Sequence, residues 1–84
     1  MKQTTLNDIP IGDSAVVTDI KSLGALKRRL IDMGITPGVR IMVKKMAPLG
    51  DPLEISLRGY ALSIRRSEAK NIHCTLETKG KDRV

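Results

Sequence analysis

The chain has 84 residues and a formal net charge of +6, with 15 Lys and Arg set against nine Asp and Glu. That length fits one domain, near the size where a hydrophobic core alone is only just sufficient, and the 40% hydrophobic content excludes a disordered chain. With a single cysteine, Cys74, an internal disulfide is excluded as well.

The apolar residues are almost all aliphatic: there is no Phe or Trp, and Tyr60 is the only aromatic ring apart from His73. A core without large rings suits short β-branched strands that close on themselves. No stretch reads as a secretory signal or a membrane span, so a cytoplasmic location is expected.

Residues 1–7 form a lead with little pattern. "SAVVTDI" (14–20) is β-branched, lies between turn residues and reads as a strand, although its periodicity does not say which face points inward. "LGALKRRLIDMG" (23–34) predicts a helix with Ser22 as the cap and Gly34 as the stop. At helical spacing Leu23, Leu26, Leu30, Ile31 and Met33 share a broad apolar stripe, and Ala25, Arg28, Arg29 and Asp32 take the opposite face. Lys27 falls inside the apolar sector, where its stem can lie on the core edge with the ammonium in water. Gly24 costs about 1 kcal/mol relative to Ala inside a helix, so the first turn is expected to fray.

"TPGV" (36–39) predicts a type II turn, in which Gly38 supplies the positive φ. "RIMVKKM" (40–46) is the next strand. "APLGDP" (47–52) holds two prolines around Gly50-Asp51 and reads as a stiff bend with an exposed carboxylate. A hairpin follows about Arg58-Gly59. Pairing Leu57 with Tyr60, Ile55 with Leu62 and Leu53 with Ile64 puts six apolar side chains on one face, and a one-residue slip would mix the faces. Arg-Gly is not the favoured turn pair, so a bulged or three-residue loop competes with a two-residue one. Ser67 is placed to cap the single helical turn "SEAK". "NIHCTL" (71–76) alternates as a last strand, and "ETKGKDRV" (77–84) is polar and expected to be a disordered tail. Residues 1–76 then make a mainly β domain, a small SH3-like barrel of about five strands with one inserted α-helix.

Catalysis finds little support. His73 is the only histidine, and it points away from its neighbour Cys74 on a strand, so the two cannot act together. Cys74 reads as a small buried apolar residue. Paired carboxylates and a P-loop are absent, and His73, Asp51, Glu54 and Glu68 have no clustered metal-ligand spacing. The basic charge admits a nucleic-acid reading through Lys27-Arg28-Arg29, Lys44-Lys45 and Arg65-Arg66. Single-strand binders stack bases on aromatic rings, however, and only Tyr60 is on offer. What remains is a docking module, with Arg28 and Arg29 on the helix's outer face and Lys27 at its edge.

"RRLIDMGITPG", "APLGDP" and "RGYALSIRRSEA", in that order, resemble the FeoA family, the small cytoplasmic component of the bacterial Feo ferrous iron transport system. The resemblance runs from about Leu6 to Leu76. It implies an SH3-like domain, non-enzymatic, that docks on FeoB, a membrane transporter with a cytoplasmic GTP-binding domain, and supports or regulates iron uptake. The family's positions correspond here to Arg29, Leu30, Met33 and Gly34, to Pro37-Gly38, to Pro48, Gly50, Asp51 and Pro52, to Arg58-Gly59, to Ile64-Arg65 and to Glu68-Ala69. Together with the basic helix face they give the expected partner interface: Lys27, Arg28, Arg29, Asp32, Met33, Asp51, Arg58 and Arg65. No catalytic, cofactor or metal-ligating residue is assigned, and no cofactor is required. Weak or shared binding of Fe2+ or another transition metal is implied by the resemblance alone. The implied location is cytoplasmic, peripheral to the membrane through the partner, with self-association left open. The rival readings are a basic nucleic-acid binder and a metal-sensing domain like the SH3-like end of DtxR-type regulators.

Overall fold

The computed structural model describes residues 2–77. Strands β1 (Lys2–Thr5), β2 (Ser14–Ile20), β3 (Arg40–Met46), β4 (Leu53–Leu57), β5 (Tyr60–Ile64) and β6 (Ile72–Glu77) form one sheet in the order β1-β6-β2-β3-β4-β5. Every pairing is antiparallel. Helix α1 (Gly24–Asp32) is inserted between β2 and β3, and the single turn α2 (Arg66–Ala69) joins β5 to β6.

The mainly β architecture with an early helix is as the sequence implies, but there are six strands rather than five. The additional one, β1, is "KQTT", a polar edge strand that pairs only with β6. An edge strand with little apolar content leaves no alternation to read. Glu77, expected to open the polar tail, instead ends β6 and pairs with Arg40 at 2.8 Å. The rest of that tail, 78–84, lies outside the described residues.

Two bulges curl the sheet. One interrupts the β2–β6 register between Val17 and Asp19, and the other the β3–β4 register between Val43 and Lys45. An extra residue bends its strand and shifts the side-chain phase by one. This is why β2 buries Ala15 and Val17 and then Ile20, a sequence no single period of two describes. β3 turns Ile41 and Val43 inward, and β4 turns Leu53, Ile55 and Leu57 inward. Leu6, Leu30, Ile35, Ile64, Ile72 and Cys74 complete a closed aliphatic core.

The β4–β5 hairpin has the expected register, Leu53 opposite Ile64, Ile55 opposite Leu62 and Leu57 opposite Tyr60. Its turn is the two-residue form: Arg58 (φ 50) and Gly59 (φ 89) both adopt positive φ, as a type I′ loop requires. At the strand's outer edge Tyr60 stays half exposed.

The helix ends as expected and begins differently. Gly34 (φ 98) donates to the Ile31 carbonyl at 2.9 Å, and Ile35 donates to the Leu30 carbonyl at 3.0 Å. Those two bonds define a Schellman stop, with buried Leu30 and Ile35 as its hydrophobic contact. At the other end Leu23, not Ser22, is the N-cap, and no side chain caps it. Gly24 turns the chain into the helix with φ 64, so it is a left-handed corner and not a weak interior position.

The expected apolar stripe is divided. Leu30 is fully buried, and Leu26 and Met33 pack partly buried against the core, but Leu23 is 89% exposed and Ile31 41%. Leu26, Leu30 and Met33 (i, i+4, i+7) suffice to seat a helix on a curved sheet. Lys27 and Ile31 (i, i+4) form a separate row facing water, and the N-cap Leu23 is exposed ahead of it.

Candidate functional site

The structure distributes six of the eight expected interface residues over three clefts and leaves Asp32 and Met33 outside them. Arg29, Asp51 and Arg65 come together with Pro52, Ser63 and Glu68 around a cleft of about 330 Å³. Lys27 and Arg28 line a second, shallower cleft of about 280 Å³ with Gly24 and Ile31. Arg58, at the hairpin tip, borders a third with Ser14, Arg40, Met42, Ser56 and Leu57. Asp32 is exposed at the end of α1, and Met33 is half buried against the core.

The first cleft is held together by ionic and capping bonds. Arg29 Nη2 donates to Glu68 Oε2 at 2.5 Å, while Glu68 Oε1 accepts from the Arg65 backbone N–H at 3.2 Å. Glu68 therefore caps α2 from its third residue, the task the sequence reading gave to Ser67. Arg28 and Arg29 are both exposed, as expected of the helix's outer face, but Arg29 is paired with Glu68. Among the described residues, neither Lys27 nor Arg28 makes a salt bridge.

The bend at 47–52 is braced by Arg66. Its backbone N–H donates to Asp51 Oδ1 at 3.0 Å, and its Nη1 donates to the Gly50 carbonyl at 3.1 Å. Gly50 donates to the Ala47 carbonyl at 2.7 Å and Ala47 to the Pro52 carbonyl at 3.0 Å. The carboxylate of this bend is exposed as expected and also accepts from the Arg66 backbone, while the tip presents Leu49 to solvent.

His73 and Cys74 lie on opposite faces of β6, the histidine half buried and the thiol within the core. Burial pushes the Cys74 thiol up to about 11, so at neutral pH it is neither a nucleophile nor a thiolate ligand. The Lys21 ammonium and the Ile20 N–H hold the Asp19 carboxyl below the ordinary carboxylate range on the exposed side of β2. Among the described residues, no three or more His, Cys, Asp or Glu side chains converge as a metal set would. Nor is any described helix long and apolar enough to cross a membrane.

Sequence reasoning missed Leu23 and Ile31 as surface residues, Glu68 as the hub of the first cleft and Arg66 as the brace. The one available signal was Lys27 lying between Leu23 and Ile31, since a charge at the centre of a stripe marks its solvent side.

A curled antiparallel sheet with one inserted helix, short ionic braces and an uncommitted basic helix face defines a small barrel module of the SH3-like class. The family model described as "FeoA domain" matches residues 4–76. This chain belongs to the FeoA family, which is linked to ferrous iron transport.

The chain is 34% identical over 71 residues to an Fe(2+) transport protein A/Fe(2+) transporter FeoB fusion protein of Porphyromonas gingivalis; the match covers 84% of this chain but only 8% of that relative's length. It is 39% identical to the solved structure of a FeoA-like protein from Clostridium acetobutylicum, with a TM-score of 0.83 over 90% of this chain and 88% of that one. A FeoA of Stenotrophomonas maltophilia, described as a procaryotic SH3 domain protein and crystallised with zinc, is 29% identical with a TM-score of 0.74, covering 90% of this chain and 92% of that one. A manganese-dependent transcriptional repressor matches at 16% identity and a TM-score of 0.79 over 89% of this chain and 42% of its own, a likeness of fold alone.

Proposed function

We propose that this protein is a non-enzymatic accessory factor of ferrous iron uptake that docks on the cytoplasmic, GTP-binding part of a FeoB-type transporter. The observation that carries this reading is the Porphyromonas gingivalis relative, in which one polypeptide joins a homologous segment to a FeoB transporter. Fusion puts the two in one place at high effective concentration, and a separate chain needs a binding surface to achieve the same. The lone imidazole and the buried thiol on opposite faces of β6 support a binding role over a catalytic one. On this reading the protein works in the cytoplasm, at the inner face of the membrane through its partner.

Co-purification of the tagged full-length chain with a detergent-solubilised FeoB-type transporter from the same cells tests the docking. Uptake of radiolabelled ferrous iron by cells lacking this chain tests the role. The expected results are a stoichiometric complex at low ionic strength and reduced uptake restored by the wild-type chain. Absence of the complex together with unaltered uptake would sink the reading.

A further inference from the structure

We infer that the solvent face of α1 is a docking groove for an acidic amphipathic helix of the partner, a deepening of the docking reading above that rests on it. Lys27 and Ile31 form one ridge at i±4 spacing and Arg28 and Asp32 form the next, with Gly24 opening the groove at the helix start and the N-cap Leu23 exposed just ahead of it. Helices pack by setting such a ridge of one into the groove between two ridges of the other. Here that groove is an open cleft of about 280 Å³ lined by Gly24, Lys27, Arg28 and Ile31. A Cβ built at Gly24 meets nothing within 4 Å, so a second backbone can approach closely at that end.

The charge selects the occupant. Two exposed aliphatic side chains, Leu23 at the N-cap and Ile31 in the last turn, flank the helix surface, with the cations of Lys27 and Arg28 between them in sequence. Neither cation makes a salt bridge among the described residues; the nearby Asp19 carboxylate is paired with Lys21, with Lys27 only a weaker neighbour. The complementary segment carries aliphatic residues at helical spacing and Glu or Asp beside them. Like charges there would be repelled, and a neutral segment would leave two cations partly desolvated without partners.

The groove is also held ready. On the other side of the helix Leu30 is fixed in the core and Arg29 is tied to Glu68, so the outer ridges keep one orientation. A bilayer is the other surface that basic amphipathic helices recognise. It fits less well, because two aliphatic side chains bury less hydrocarbon than a single myristoyl chain, itself only a marginal anchor.

Two probes test the proposal on the full-length chain. The first is a synthetic helical peptide with Leu at helical spacing flanked by Glu, compared with the same peptide carrying Lys for Glu. Methyl NMR is expected to show Leu23 and Ile31 signals moving with the Glu peptide and not with the Lys peptide. The second is the FeoB-type transporter in detergent. The Leu23→Ser/Ile31→Ser and Lys27→Glu/Arg28→Glu variants are each expected to lose about tenfold or more in affinity, and the charge variant to lose most of its salt dependence. Leu23→Ala and Ile31→Val give graded losses without adding a polar group, and circular dichroism confirms that every variant is folded. Full transporter affinity in the serine variant overturns the groove and leaves docking elsewhere intact. Methyl shifts with the Glu peptide but no complex with the transporter uphold the groove and remove the docking reading. Binding to phosphatidylserine vesicles that disappears with Leu23→Ser overturns the proposal in favour of lipid.

Discussion

The Arg29 guanidinium meets the Glu68 carboxylate at 2.5 Å, joining α1 to α2 across a sequence separation of 39 residues. The pair is asymmetric: the Arg29 side chain is 58% exposed and that of Glu68 only 11%. Glu68 also holds the Arg65 N–H, so one carboxylate closes the α2 turn and fixes the helix that carries the free cations. Glu68→Ala is expected to cost about 2 kcal/mol, a lost cap plus a charge-assisted bond. Arg29→Ala should cost about 1 kcal/mol or less, as for largely solvated ion pairs. Glu68→Gln falls between them because its amide oxygen can still accept from Arg65. Urea midpoints at constant m-value give the order, and equal losses for Arg29→Ala and Glu68→Ala would contradict the two-role account.

Gly34 is the other point where α1 is located, this time against the hairpin. Its φ of 98 is a left-handed conformation, and a Cβ there would lie 3.2 Å from Tyr60 Oη and 3.5 Å from Leu57 Cδ1. Gly34→Ala is expected to destabilise by about 1–2 kcal/mol through φ alone, with a further loss from the tight contact. Placing Gly34→Ala in a Tyr60→Phe background removes the hydroxyl and should recover only the contact part. Complete recovery in the double variant would mean that backbone strain contributes nothing.

The hairpin register, the Gly34 stop and the Thr36–Val39 turn were legible because each depends on local chemistry. Alternation fixes which residues pair, and glycine marks where φ must be positive. The α1 stripe was not fully legible, since its width depends on how much sheet curves beneath it. Periodicity put Leu23 and Ile31 with Leu30 by angle alone. Glu68 was hidden for another reason: its partners Arg29 and Arg65 share a cleft that only the completed barrel creates. β2 could not be oriented because its bulge changes the period midway. The same distinction is measurable with one residue type. Leu30→Ala should cost about 2–4 kcal/mol as a buried truncation, while Leu23→Ala should leave thermal stability within about 0.5 kcal/mol of wild type.

Arg58 is the only described residue other than glycine with positive φ. In a type I′ turn Asn adopts that conformation more readily than Arg. Arg58→Asn is therefore expected to stabilise the fold by about 0.5–1 kcal/mol, read as a rise in melting temperature. Binding then decides whether the arginine is kept for its charge. Higher stability with weaker transporter binding would place Arg58 in the interface, and higher stability with unaltered binding would remove it from the expected set.

Cys74 gives a pH signature with a definite sign. In the unfolded chain its thiol ionises near 8.5, whereas burial in the fold raises it to about 11. Below about pH 8 both states hold the proton and the thiol has no effect on the pH dependence of stability. As pH rises from about 8.5 toward 11, the unfolded state loses its proton first, and the stability associated with the buried neutral thiol falls. Denaturation midpoints between pH 8 and 10.5 should drop more steeply for wild type than for Cys74→Ala, which isolates the thiol from lysine and tyrosine titration. Iodoacetamide should correspondingly label Cys74 slowly in the native protein at pH 8 and rapidly once urea unfolds it. Prompt labelling of the native chain, or equal pH slopes in the two proteins, would mean that the β6 face carrying Cys74 opens to solvent, contradicting the closed aliphatic core.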